Sequence, residues 1–308
     1  MPKLALKIDV DTYRGTREGV PRLMEVLKKH GAGATFLFSL GPDHTGRAVT
    51  RVFRRGFMKK VSRTSVLEHY GLKTLLYGTL LPGPDIGATC ADIMRSVRDA
   101  GFEVGIHTWD HVKWQDGVAG AGAEWTENQL RLAMERFESL FGEPARVHGA
   151  AGWQMNVHAL RLTQRLGFHY CSDARGSSPF IPVRNAEIVA CPQLPTTLPT
   201  LDELLGRDGI TTMNVANHIL NLTQALPGAS DEVMGHVYTL HAELEGGKLE
   251  AVFEDLLTGW KAQGYELVAM RELALALDTE QLPRCEFDRG EVPGRAGLLA
   301  VQGREFLT

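Results

Sequence analysis

The 308-residue sequence predicts an α/β fold, a distorted parallel (β/α) barrel of seven or eight units carrying one inserted basic, amphipathic helical segment. Three observations point there. Short apolar runs alternate along the chain with amphipathic runs of helical spacing, the pattern of a parallel sheet with crossover helices. Acids and imidazoles stand at the C-terminal ends of the apolar runs, where parallel α/β folds place their chemistry. Finally, a stretch at about residues 42–87 breaks the alternation and has a charge balance of its own.

The first run, Leu4-Ala5-Leu6-Lys7-Ile8, reads as a strand and delivers Asp9-Val10-Asp11. Residues 18–30 follow as a helix, with Val20, Leu23, Met24 and Leu27 on one face and Gly31 as its stop. Residues 34–38 form the next strand, and 91–100 a helix ending at Gly101. Phe102 to Ile106 is a strand that ends in His107-Thr108-Trp109-Asp110-His111. The beat continues with a helix at 127–141, a short strand at 146–148, a helix at 157–166, and strands at 169–172 and 187–191. A helix at 211–222, a strand at 235–240 running into His241, a helix at 249–262, a strand at 265–268 and a helix at 272–277 complete it. The barrel thus occupies residues 1–280, with the insertion inside it, and residues 281–308, containing Pro283, Pro293 and several glycines, read as an irregular tail.

Composition narrows the function classes. With 44% hydrophobic residues, 23% charged residues and a net charge of -4, the chain resembles an ordinary globular protein and has no basic excess for whole-surface binding of nucleic acid. Met1-Pro2-Lys3 leads directly into the first strand without a signal-peptide pattern, which predicts residence in the cytoplasm. The four cysteines show no Cys-x2-Cys spacing, so neither a zinc ribbon nor a disulfide framework is expected. Neither a dinucleotide-binding glycine turn nor a phosphate-binding P-loop is present.

Asp11, His107 and His111 would make a two-histidine, one-carboxylate metal site. Such a set leaves coordination positions open for water and substrate, the condition for catalysis as opposed to a closed structural site. It accommodates zinc, cobalt, manganese or iron. In the insertion, Arg47, Arg51, Arg54, Arg55, Lys59, Lys60, Arg63 and Lys73 outnumber Asp43 and Glu68, while Val49, Val52, Phe53 and Phe57 follow helical spacing. That pattern suits a helix lying in a membrane interface, and equally an exposed helix packed on the barrel. Nucleic acid is a weaker partner, because the aromatic residues sit on the apolar face and form no stacking platform.

Taken together, Asp9-Val10-Asp11, His107 to His111 and Leu240-His241 resemble the first, second and fifth motifs of the polysaccharide deacetylase family, the NodB-homology domain of carbohydrate esterase family 4, over about residues 3–270. The resemblance implies a barrel that binds one divalent metal ion and hydrolyses N-acyl groups on sugars. It implies Asp11, His107 and His111 as metal ligands, Asp9 as general base and His241 as general acid. The third motif departs from the pattern: His148-Gly149-Ala150-Ala151-Gly152-Trp153 keeps the glycine and the aromatic residue, but His148 stands where an arginine usually orients the base. Cys171-Ser172-Asp173 matches the fourth motif loosely, and Asp173 is expected to orient His241.

These departures, the basic insertion and the lack of an export signal resemble one branch of the family. Its members deformylate an undecaprenyl-phosphate-linked formamido sugar at the cytoplasmic face of the inner membrane, for lipid A modification and polymyxin resistance. By that resemblance the partners are the lipid-linked sugar and inner-membrane surface lipids, with Arg14, Arg54, Arg55, Lys59, Lys60 and Trp153 contacting the sugar or its phosphate. A de-N-acetylase of a soluble or polymeric amino sugar is the competing enzyme reading. An inactive, metal-bound barrel that binds a membrane surface is the non-enzymatic one.

Overall fold

In the computed structural model, residues 1–48, 74–224 and 235–307 are described. Of the inserted helix read at residues 47–67, all from residue 49 on, including Arg54, Arg55, Lys59 and Lys60, lies outside them. Strands β1 (Lys3–Val10), β2 (Thr35–Ser39), β3 (Glu103–Thr108), β4 (Val147–His148) and β5 (Tyr170–Cys171) follow one another across a parallel sheet. Further along the chain come β6 (Ile181–Arg184), β7 (Glu187–Ile188), β8 (His236–His241) and β9 (Glu266–Val268). The main sheet runs β5-β4-β3-β2-β1-β8, and β9 pairs with the start of β1. The expected parallel α/β barrel is therefore present as a curled half-barrel. Its two edges are linked by an extended segment: Leu194 N–H donates to the Cys171 carbonyl at 2.8 Å, and Thr197 N–H donates to the Val237 carbonyl at 3.1 Å.

β1 lies at the centre because both of its edges are paired. β8 runs along one edge from Leu4 to Asp9, while β9 takes Lys3 to Ala5 and β2 takes Lys7 to Val10 on the other. A strand covered in this way reads as a near-continuous apolar run. Side chains alternate across the sheet. Leu4, Leu6, Ile8 and Val10 join the large core beneath the outer helices, whereas Ala5 packs inside the half-barrel with Leu37, Val147, Tyr170, Val237 and Val268. Lys7 and Asp9 continue the inward row of Ala5.

The outer layer is built by α1 (Val20–His30), α2 (Ala91–Asp99), α3 (His111–Gly117), α4 (Ala123–Phe141), α5 (Val157–Arg165), α6 (Val215–Thr223) and α7 (Glu250–Ala262). α1 buries Val20, Leu23, Met24, Val26 and Leu27, and Gly31 at φ 58° ends it in the left-handed conformation that glycine adopts without strain.

Two sequence expectations are corrected. The strand read at 187–191 is not part of the barrel: only Glu187–Ile188 is extended, and it pairs antiparallel with β6 around Asn185 and Ala186, both at positive φ. The tail is not irregular either. β10 (Arg284–Glu291) and β11 (Leu298–Glu305) form an antiparallel hairpin in a second sheet of order β11-β10-β6-β7. Its alternation, with Cys285 and Phe287 buried between exposed residues, is a strand signal that the flanking prolines and glycines obscured.

Gly19 marks the tightest approach of the α1 entry to the loop after β8, since a Cβ there would lie 2.0 Å from the Ala242 carbonyl oxygen. Gly19→Ala is expected to destabilise the protein by about 1–3 kcal/mol, the usual penalty of overpacking. Urea denaturation checks this, and an unchanged midpoint would show that the helix can retreat freely.

Candidate active site

The C-terminal ends of β1, β3 and β8 meet at one mouth of the half-barrel. Asp9 ends the inward row of β1, and its register partner on β8 is His241. Asp11 lies just past the strand, where the backbone N–H groups of Asp11 and Thr12 donate to Glu243 Oε1 at 3.1 and 2.7 Å. The loop after β8 therefore clamps the loop after β1. His107 is the inward residue near the end of β3. Asp110 then caps α3 by accepting from the Lys113 N–H at 3.0 Å, which sets His111 as the first residue of that helix.

These elements bring Asp11, His107 and His111 together, with one ligand atom from each lying within 4.8 Å of the others. His107 Nε2 is 3.2 Å from Asp11 Oδ1, and His111 Nε2 is 3.4 Å from Asp11 Oδ2. His107 Nδ1 sits 2.7 Å from the Gly149 carbonyl and donates to it, so the Nε2 lone pair faces the carboxylate. Burial alone would raise the Asp11 pKa, but His111 and His107 outweigh it and hold the carboxyl well below its usual range. Burial lowers the pKa of His111 and favours the neutral, ligating form. Asp9 Oδ1 and Asp11 Oδ1 are buried without hydrogen-bond partners. Converging lone pairs, an ionised carboxylate and orphaned oxygens are what a divalent cation satisfies, and the ligand separations match the edges of a small ion's coordination shell.

Lys7 is one of the residues that sequence reasoning missed. It is fully buried, its Nζ lies 3.5 Å from Asp9 Oδ2, and it donates to the Ser172 carbonyl at 3.1 Å. It is the cation beside Asp9. Gly149 makes room for it, since a Cβ there would come within 3.0 Å of Lys7 Cε. The signal was available: a lysine two residues before Asp9 in a doubly paired strand shares its face, and buried lysines require a partner.

His148 does not stand in for that arginine. It is in register with Ile106, whose side chain belongs to the outer core, and so it faces away from Asp9. Its Nδ1 pairs with Asp173 Oδ1 at 2.7 Å, and the same carboxylate accepts from Ala150 N at 2.9 Å and Gln193 Nε2 at 3.0 Å. Asp173 is therefore held beside β4 and does not orient His241, contrary to expectation. His148, Cys171 and Asp173 form a second buried donor cluster, but those hydrogen bonds already satisfy its carboxylate.

The carboxylate beside His241 is Asp202, whose Oδ1 lies 3.9 Å from His241 Nδ1. Asp202 sits on a helical turn, Leu201–Leu204, closed by a capping box between Thr200 and Glu203. That Thr-x-x-Glu spacing was legible in the sequence and would have located the turn. Burial depresses the His241 pKa, yet Asp202 and Asp11 together prevail and raise it. Asp202 is lowered in turn: burial opposes ionisation, and Arg295 and His241 overcome it.

Trp153, expected to touch substrate, is instead buried at 1% exposure. Its Nε1–H donates to Thr196 Oγ1 at 3.2 Å, and Lys7, Arg175 and Arg295 stand 5.2, 5.0 and 4.8 Å from ring centroids of the indole. Arg14 is partly exposed and pairs with Glu18 at 2.9 Å, on the wall of a pocket of about 160 Å³ that also includes Arg22, Glu243 and Lys248.

Two buried carboxyls stiffen the His241 loop. Burial, followed by Asp11, pushes Glu243 up to about 8, and burial pushes Glu245 up to about 7. Glu245 Oε2 accepts the His241 N–H at 2.9 Å. Because the folded pKa of Glu245 exceeds the ordinary glutamate value of 4.5, its contribution to stability is complete below that value and is lost as pH rises to about 7. The expected slope approaches 1.4 kcal/mol per pH unit for one proton. Glu245→Gln, which keeps an acceptor, should flatten that decline in denaturation curves collected from pH 4.5 to 8. An unaltered pH profile would sink the assignment.

A family model described as polysaccharide deacetylase matches residues 3–171. The chain is 40% identical over 302 residues to a protein of Shewanella sediminis described as a probable 4-deoxy-4-formamido-L-arabinose-phosphoundecaprenol deformylase, ArnD, covering 97% of this chain and 94% of that one. A Wigglesworthia glossinidia brevipalpis protein of the same description is 32% identical over 290 residues, covering 94% of this chain and 98% of its own. A crystal structure described as a polysaccharide deacetylase of Mycobacterium smegmatis shares the fold, with a TM-score of 0.61 at 17% identity over 94% of this chain and 96% of that one. With the Asp-His-His cluster at the strand ends and relatives matched along nearly their whole length, the chain belongs to the polysaccharide deacetylase family and is a hydrolase acting on an amide.

Proposed function

We propose that the protein removes the formyl group from undecaprenyl-phosphate-linked 4-deoxy-4-formamido-L-arabinose in a metal-dependent hydrolysis. The products are formate and the 4-amino sugar lipid, for lipid A modification and polymyxin resistance. One observation carries the reading: Asp9 and His241, partners in register, flank the Asp11-His107-His111 cluster. The similarity to the two deformylases supports the choice of substrate.

A divalent ion held by Asp11, His107 and His111 would acidify water and polarise the amide carbonyl. Asp9 accepts the proton of the attacking water, and Lys7 fixes the orientation of its carboxylate. His241, favoured as imidazolium by Asp202, donates a proton to the departing amine nitrogen, and the C–N bond breaks to release formate. Glu243 holds the Asp11–Thr12 backbone in place while this happens.

The lipid tail accounts for the insertion. No helix among the described residues is long and apolar enough to cross a membrane. The basic and apolar residues of 47–67 would instead attach the enzyme to an anionic inner-membrane surface on its cytoplasmic side, at about 1 kcal/mol per basic residue near the lipid. Arg14 would add a contact to the sugar phosphate.

Mass spectrometry of a formamido-arabinose phospholipid bearing a short isoprenoid tail tests the chemistry. Wild type should release formate, leave the acetamido analogue intact and lose activity on removal of metal. Asp9→Ala and His241→Ala should each lower kcat by about 10²–10⁴-fold, and Lys7→Met by at least about tenfold. Hydrolysis of the acetamido compound alone would favour a general de-N-acetylase. In liposome sedimentation, neutralising Arg54, Arg55, Lys59 and Lys60 together should release the protein from anionic vesicles yet spare hydrolysis of a soluble analogue. Undiminished binding would refute the membrane role.

A further inference from the structure

We infer that Arg295, carried on the turn between β10 and β11, is a positioning residue that holds Asp202 against His241. The C-terminal hairpin thereby completes the proton-donating half of the site. The inference rests on the reading of His241 as the acid, and Arg295 lies well outside the residues matched by the family model.

The contact is a fork on a carboxylate. Arg295 Nη1 is 2.9 Å from Asp202 Oδ2, and Nη2 donates to Asp202 Oδ1 at 3.1 Å. Both oxygens are thus engaged by one planar group, the arrangement that gives arginine–carboxylate pairs their directional strength. The guanidinium is itself fixed on three sides. Its Nε donates to Glu203 Oε1 at 2.8 Å, Nη2 also reaches Thr200 Oγ1 at 3.1 Å, and its centre stands 4.8 Å from the Trp153 ring centroid. A lysine offers one point charge and cannot copy this geometry.

The hairpin is shaped to deliver that side chain. Gly294 has φ 91°, and a Cβ there would meet the Glu203 carbonyl oxygen at 2.5 Å, so the backbone presses directly on the turn that carries Asp202. Arg175 ties the hairpin down from the other side: its N–H donates to the Ala300 carbonyl at 2.9 Å, and its carbonyl accepts from Gln302 N–H at 2.7 Å. Its guanidinium pairs with Glu203, so Glu203 is shared between two arginines and leaves the fork of Arg295 to Asp202.

His241 depends on this arrangement. Its Nδ1 is buried with no hydrogen-bond partner, and the Asp202 carboxylate, 3.9 Å away, is the acceptor poised to approach it. The Asp202 side chain is 29% exposed, so without the fork the Thr200 hydroxyl, which donates to Oδ1 at 2.6 Å, would be left to hold it against water and other rotamers.

The test compares wild type, Arg295→Gln, Arg295→Lys and Asp202→Asn as full-length, metal-loaded proteins. Arg295→Gln should lower kcat on the formamido substrate about 10- to 100-fold and change KM less than about threefold, with Arg295→Lys recovering part of the loss. The double variant Arg295→Gln/Asp202→Asn should be no worse than Asp202→Asn alone, because the two residues act through one path. The ring ¹⁵N resonances of His241 should shift alike in Arg295→Gln and Asp202→Asn, a readout that needs no substrate and survives if the deformylase reading fails. A raised KM with unchanged kcat would make Arg295 a substrate contact and overturn the inference, as would additive losses or an unmoved His241 spectrum. Should Arg295→Gln fold poorly, the Arg295→Lys spectrum decides the matter in the same way.

Discussion

Asp9 and Asp11 enter a region from which water is largely excluded, and a carboxylate there is tolerable only when a cation or a set of donors replaces its hydration. Much of the half-barrel answers that requirement. Lys7 faces Asp9 from the same row of β1, the imidazoles of His107 and His111 face Asp11, and Arg295 and Arg175 neutralise Asp202 and Glu203. Trp153 stands at the junction, with Lys7 on the Asp9 side and the two arginines on the Asp202 side near one indole. A residue expected from the sequence to touch substrate is thus buried, with three cations around its indole.

The strand period of two separates this charged interior from the apolar core that holds the protein together. One face of β1 packs under the helices as pure hydrocarbon, and the other passes from Ala5 through Lys7 to Asp9, from apolar floor to reactive rim. β8 runs in step, with Val237, Thr239 and His241 opposite Ala5, Lys7 and Asp9. A shift of one residue in that pairing would turn His241 out of the mouth and place Leu240 there, which is why both edges of β1 are pinned.

Residues at strand ends were legible because local pattern alone places them. The runs ending in Asp9-Val10-Asp11, His107 to His111 and His241 needed only the rule that parallel strands present chemistry at their C-termini. Lys7 shares the face of Asp9 by strand period, and the pairing of β1 on both edges is what turns that shared face into burial beside the carboxylate. Asp173 and Asp202 show a different limit. Both follow β5 in the chain, and sequence offers no measure of which carboxylate folds back to His241; the register of β4 with β5 assigns Asp173 to His148. Arg295 was the least accessible, since the glycines and prolines around it signal a turn and a loose end equally well until β10 and β11 are seen to pair.

Formal charge at the mouth bears on how a cation held there would act. Asp9, Asp11, Asp202 and Glu203 face Lys7, Arg175 and Arg295, and a protonated His241 brings four positive charges against four negative ones, while burial pushes Glu243 and Glu245 up to about 8 and 7. Within that balance one oxygen each of Asp9 and Asp11 is left without a hydrogen-bond partner. A divalent charge at the Asp-His-His cluster would make the mouth net positive. Amide hydrolysis concentrates negative charge on the carbonyl oxygen as water adds, so that field would favour the charge that develops during reaction. On this account Lys7 and Arg295 balance the resting site well enough to fold, and an ion held by Asp11, His107 and His111 would supply the positive charge on which the proposed reaction draws.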